Sequence, residues 1–253
     1  MEARKGQISL FVIAGIALIV GAVLYFSLNP VSSHLQTQNL RDNNVDTTAV
    51  QYFVEECLRL TAERGVPFIS MRGAYYHLPS PYYEARPPTA FFVYRGNDLA
   101  PSLEGFSREL SSYIDHQLPY CLDDHHFPGR EIEFGAPQSS STIHESRIDI
   151  ALTLPTAVRT SSDSFEIGTY HSTIRTDALH RAHLASTAIS SHMGEDPDSL
   201  CLTCLYRAAE SEGFRLFVDP LDENTFNIQL IDSRAQEGEE AYVFNFAANF
   251  GPP

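Results

Sequence analysis

The chain has 253 residues and a formal net charge of -15, with 32 acidic residues against 17 basic ones. So acidic a surface repels phosphate, which argues against nucleic acid as a partner and against docking flat on an anionic lipid surface. Lys5 is the only lysine; every other cation is an arginine. Excess Asp and Glu with almost no Lys is the composition of proteins that work in brine, where the Debye length shrinks to about 3 Å at 1 M salt and acidic self-repulsion weakens.

The N-terminal segment carries the first element. No charged residue occurs between Ile8 and Leu28. About 20 apolar residues in a helix span the ~30 Å hydrocarbon core of a bilayer. The run is longer than a secretory signal's apolar region, and its exit, Tyr25-Phe26-Ser27-Leu28-Asn29-Pro30, does not fit a small-x-small cleavage site. Residues 1–28 are therefore expected to be a cytoplasmic stub and a transmembrane helix in contact with the lipid bilayer through 8–28. Arg4 and Lys5 hold the N-terminus inside. The stretch "KGQISL" resembles the archaeal class III, prepilin-type signal. That resemblance implies a cut between Gly6 and Gln7 that leaves the helix on the mature protein. Phe11 stands at the fifth mature position, where many such signals carry an acidic residue.

Residues 29–44 are polar and aperiodic and read as a stalk. Residues 45–253 then form an extracytoplasmic α+β domain with an antiparallel sheet and several packed helices, divisible into lobes 45–125 and 126–253. Its first helix is capped by Asp46 or Thr47 and carries Val50, Phe53, Val54, Cys57 and Leu58 as an apolar stripe; Gly65 closes it and Pro67 prevents its return. "FISMRGAYYHL" reads as a strand with a bulge at Gly73, "PSPYYEARPPT" as a loop and "AFFVYRG" as a strand. A second helix runs from about Ser102 to Leu118, ended or kinked by Pro119. The period then changes to two in "GREIEFGAP", "RIDIALTL" and "SFEIGTYHSTI", with Ile148, Ile150, Leu152 and Leu154 on one side. Helices at Asp177–Met193 and Leu200–Glu210 follow. "FRLFVD", "TFNIQLID" and "AYVFNFA" close the chain as strands.

"VQYFVEECLRLTAERGVPFISMRGAYYHLP", "LSSYIDHQLPYCL" and the closing "IQLIDSRAQEGEEAYVFNFAANF" together resemble a family of uncharacterised archaeal membrane-anchored proteins. Its members share the leader, a helix with a central Cys, a Gly- and aromatic-rich strand and a Phe-x-Phe-Ala ending. The resemblance implies the topology and no activity.

Four cysteines outside the cell permit disulfides. A Cys57–Cys121 bond would close a loop of over sixty residues and stabilise the fold by about 4 kcal/mol; otherwise the two are small buried hydrophobes. "CLTC", Cys201 and Cys204, is a redox pair, half a zinc site or a local disulfide. The acidic run "GEDPDSL" before it raises a thiol's pKa, and a thioredoxin-like motif would follow a strand instead. With His180 and His183, three apart on one helix, the two thiolates make an acceptable tetrahedral zinc set. Asp123, Asp124, His125 and His126 read as an exposed polar turn. The sequence has no Gly-x-Ser-x-Gly elbow, phosphate loop or His-Glu-x-x-His.

These observations describe a single-pass surface protein of a halophilic archaeon, N-terminus inside, with a structural, adhesive or binding ectodomain that meets another surface protein or envelope component. The alternatives are a pilin-like filament or pseudopilin subunit and a membrane-tethered zinc or thiol-redox enzyme.

Overall fold

The computed structural model describes residues 44–251 apart from 124–125, 162, 196–200 and 236–239. The expected membrane helix 8–28, the Gly6–Gln7 processing point and nearly all of the stalk lie outside these residues. Among the described residues, no helix is long and apolar enough to cross a membrane. The chain divides into a first unit, Met1–Asp46, and a compact second unit, Thr47–Pro253. The second unit is α+β, and its core draws on residues from both 45–125 and 126–253.

Helix α1 spans Asn44–Ser70 and α2 spans Leu103–Leu122. Helix α1 corrects the reading that Gly65 ends it. Thr61, Ala62, Gly65, Val66, Ile69 and Ser70 are all buried, so the core-facing stripe continues through Gly65. Pro67 removes one amide, whose partner would be the carbonyl of Glu63. Both residues are exposed, so water can satisfy that carbonyl. The expected strand over "FISMRGAYYHL" is thus the last turn of α1 and the turn after it. Gly73, with φ +71°, is no bulge. It lies in the left-handed turn that ends the helix, where the amides of Arg72, Gly73 and Ala74 return to the carbonyls of Ile69 and Ser70.

Two antiparallel helices meet where sequence contacts run in opposite directions. Cys57 bonds to Cys121, Gly65 lies against Leu110 and Tyr113, and the Phe68 ring sits 5.1 Å from that of Tyr113. A Cβ at position 65 would approach the Tyr113 ring to 2.7 Å and Leu110 Cδ1 to 2.9 Å. Glycine there is the condition for this close packing.

The larger sheet holds β1 (Tyr82–Tyr83), β2 (Thr89–Tyr94), β3 (Asn97–Asp98), β8 (Phe214–Pro220), β9 (Thr225–Asp232) and β10 (Val243–Asn249). Its order is β1-β2-β10-β9-β8, with β3 also beside β2. It is mixed, because β10 runs parallel to β2 while the other pairs are antiparallel. The expected purely antiparallel sheet is corrected at that one ladder. Most of the domain intervenes between these two strands, so no hairpin constrains their relative direction. Phe92, Phe244 and Phe246 gather on this sheet, and Phe106 of α2 stacks on Phe244 with centroids 5.6 Å apart. Asn245 donates to Thr89 Oγ1 and to the Met71 carbonyl just beyond α1.

A second sheet holds β4 (Glu131–Phe134), β5 (Gln138–Ile143), β6 (Ile148–Arg159) and β7 (Ser164–Ile174), all antiparallel. The alternation of β6 is as expected, with Ile148, Ile150, Leu152, Leu154, Thr156 and Val158 buried. Strand β4 pairs with one end of β6 and β5 with the other. The β6–β7 register shifts between Thr153 and Thr156, where Pro155 sits. Strand β5 is the serine-rich segment without apolar alternation. Its outer edge is closed by α2: the Ser139 amide donates to Asp115 Oδ1 at 2.7 Å and the Ser141 amide to Ser111 Oγ at 2.9 Å. Burial raises the Asp115 carboxyl above its usual range, against the opposing effect of the Ser139 hydrogen bonds.

Helices α3 (Ala178–Glu195) and α4 (Leu202–Ser211) complete the unit. The Gly65 contact makes a direct prediction. Gly65→Val is expected to lower unfolding free energy by about 2 kcal/mol through overpacking against Tyr113, although valine is the better helix former. Urea denaturation followed by far-UV circular dichroism checks it; equal or greater stability would refute the close approach.

Candidate functional site

Helix α4 begins one residue after Cys201, which is its N-cap. Cys201 Sγ accepts a hydrogen bond from the Cys204 amide at 3.3 Å, and the two sulfurs are bonded to each other. Cys201 is exposed and Cys204 is half-buried. Leu202 and Tyr206, one turn apart on α4, are 48% and 49% exposed.

The opposite end of α4 is held by charge. Arg181 of α3 donates through Nη1 to the Glu212 carbonyl at 2.6 Å, lies over the Phe214 ring at 4.7 Å and pairs with Asp232. Arg234 grips Asp177 through two hydrogen bonds of 2.8 and 2.7 Å, and also reaches Asp232. The Arg234 hydrogen bonds, with help from Arg181, hold the Asp177 carboxyl down at about 2. Burial alone would raise Asp232, but the hydrogen bonds from Arg234 and Arg181 outweigh it and keep the group low. This cluster of two arginines and two aspartates ties the start of α3, the end of α4 and the end of β9 together.

The structure does not bring His180, His183, Cys201 and Cys204 together as metal donors. Among the described residues, no group of three or more His, Cys, Asp or Glu side chains can hold a metal ion. His183 instead sets its ring edge-on to Phe106 at 5.3 Å, and its buried Nδ1 has no hydrogen-bond partner. Burial, followed by the neighbouring His180, lowers the His183 pKa, and Glu104 opposes the shift. Asp123 is the C-cap of α2, and it and His126 are exposed; Asp124 and His125 lie outside the described residues.

A recess of about 620 Å³ opens on the solvent side of the second sheet, at the β6–β7 register shift. Glu133 and Glu166 flank Ala157 in one lateral row, and Thr153, Pro155 and Gly168 complete the wall. Its lining carries the carboxylates of Glu133 and Glu166 and the hydroxyls of Thr153 and Thr156, and no thiol or imidazole. A second groove, of about 520 Å³, runs between α2 and β5 and is rich in hydroxyls. Ser111, Asp115, Ser139 and Ser141 in it are already engaged in closing the β5 edge. Sequence reasoning missed both recesses, since each depends on a strand or register shift with no local signature.

All four cysteines are bonded: Cys57 to Cys121 across 64 residues, and Cys201 to Cys204 across three. Loop-closure entropy assigns about 4 kcal/mol to the first and about 2 kcal/mol to the second. The short bond also lies in a helix start that constrains the same residues. No protein-family model, curated protein or solved structure matches this chain.

The two bonds are expected to separate in a stability assay. Replacing Cys57 and Cys121 together by Ala should cost about 4 kcal/mol; replacing Cys201 and Cys204 should cost about 2 kcal/mol or less. Guanidinium titration of the oxidised proteins makes the comparison. Equal losses would show that the long bond is not the structural one.

Proposed function

We propose that this protein is a single-pass membrane-anchored surface protein of a halophilic archaeon, whose α+β domain faces outward and serves a structural, adhesive or binding role. The Cys57–Cys121 bond carries this reading. Stable disulfides belong to oxidising compartments, and the long bond ties α1 to α2. The uncharged run Ile8–Leu28 supplies the anchor, and Arg4 and Lys5 supply its orientation. The recess on the second sheet, bordered by two glutamates, offers a concave acidic surface for recognition. Its natural occupant is a segment of another surface protein or envelope component.

The full chain is expected to sediment with membranes and to resist extraction by carbonate, whereas a chain lacking residues 1–30 is released. Terminal sequencing of the membrane form should find Gln7 if the prepilin-type signal operates, and Met1 or Glu2 if the segment is a plain anchor. A start near Asn29 would refute anchorage.

The acidic, nearly lysine-free composition makes a separate prediction. Melting temperature should rise steadily from about 0.1 M to above 1 M NaCl or KCl, as the Debye length falls from ~10 Å to ~3 Å. A flat or falling melting temperature would refute adaptation to brine.

A further inference from the structure

We propose that Cys201–Cys204 is a redox-active disulfide that exchanges with the cysteine pair of a partner polypeptide. Three observations lead there. Cys201 occupies the N-cap of α4, so the positive end of the helix and the Cys204 amide both point at its sulfur. When the bond opens, those groups stabilise a thiolate at Cys201 and so favour the reduced form. Exposure is asymmetric: Cys201 is open to an incoming thiolate and Cys204 is half-buried, the arrangement of an attacked sulfur and its resolving partner. Leu202 and Tyr206 present apolar surface on the same helix, which gives an extended polypeptide a place to rest beside the bond.

The exchange balances without any other reagent. A substrate thiolate attacks Cys201 Sγ, the Cys201–Cys204 bond breaks, and Cys204 leaves as a thiolate. The substrate's second thiolate then attacks its own sulfur in the mixed disulfide and expels Cys201. The substrate dithiol is oxidised by two electrons, the Cys201–Cys204 pair is reduced, and the two substrate protons pass through solvent to the two cysteines.

Cys57–Cys121 provides an internal control, because Cys57 is only 3% exposed. The oxidised full-length chain in detergent is mixed with a reduced dithiol peptide without denaturant, quenched by alkylation and mapped by mass spectrometry. The expected result is alkylated Cys201 and Cys204, an oxidised peptide in equal amount, and unmodified Cys57 and Cys121. Two single variants then separate an active pair from a merely exposed one. Cys204→Ser should trap a mixed disulfide with an oxidised peptide at Cys201, and at pH 6 should do so about threefold faster than an isolated SLCLTSLY peptide, because a lowered thiol pKa raises the thiolate fraction more than it reduces nucleophilicity. Cys201→Ser should form far less adduct. Far-UV circular dichroism confirms that both variants are folded. A Cys201–Cys204 bond that stays oxidised until denaturant is added, a rate no faster than the peptide's, or equal adducts at the two positions would each overturn the proposal.

Discussion

The approach of α1 to α2 at Gly65 is the contact on which the rest of the domain depends. It lets helix geometry run past two residues that ordinarily stop it. Each extra turn of α1 then places something needed elsewhere. Ser70 donates to the Val66 carbonyl and is joined by the Tyr242 hydroxyl at 2.7 Å, which anchors the chain entering β10. The Met71 carbonyl receives Asn245 from β10, and Thr89 of β2 joins the same cluster. The parallel β2–β10 ladder thus forms around the end of α1. Along α2, the same docking sets Phe106 against Phe244 and turns Ser111 and Asp115 toward the edge of β5.

Charge has a narrower role than the composition suggests. Among the described residues most ion pairs are exposed, such as Arg59 with Glu56 and Glu63, and solvent screening leaves pairs of that kind with little effect on stability. The Arg181–Asp232 pair differs, with side chains only 12% and 11% exposed. Its ions retain hydrogen bonds to Glu212 and Arg234, so neither is stranded in the interior. The cluster of Arg181, Arg234, Asp177 and Asp232 is locally balanced, whereas Asp115 is held at the β5 edge by backbone and hydroxyl donors alone.

Segments governed by near neighbours were legible in the sequence. The period-two pattern of β6 and the strands β8 to β10 follow from alternation and burial, and the stripe on α2 is visible through Leu118. The end of α1 was not legible, because Gly65 and Pro67 are local stop signals overruled by the α2 contact. Strand β5 was hidden for a related reason: its serines answer to the side chains of α2 and not to an apolar core. Strand direction at β2–β10 is a long-range property that no local window contains. At the candidate site, the Cys57–Cys121 pair was expected because both residues sit on or beside helices in an oxidising compartment. The place of Cys201 turned on a boundary. A helix starting at Leu200 buries the cysteine in its first turn, whereas the start at Leu202 makes it the cap.

The two disulfides divide the work between them. Cys57–Cys121 joins helices that must stay together for the core to exist, so opening it releases a long loop and loosens the Gly65 contact. Cys201–Cys204 joins residues that α4 already holds in register. The far end of that helix is fixed by Arg181 and the aspartate cluster, and its inner face is buried through Leu205 and Ala209. Breaking the short bond therefore removes one constraint from a segment that retains its others. A bond whose loss leaves the fold standing is free to be made and broken repeatedly, and the helix that carries it leaves Cys201 open to solvent.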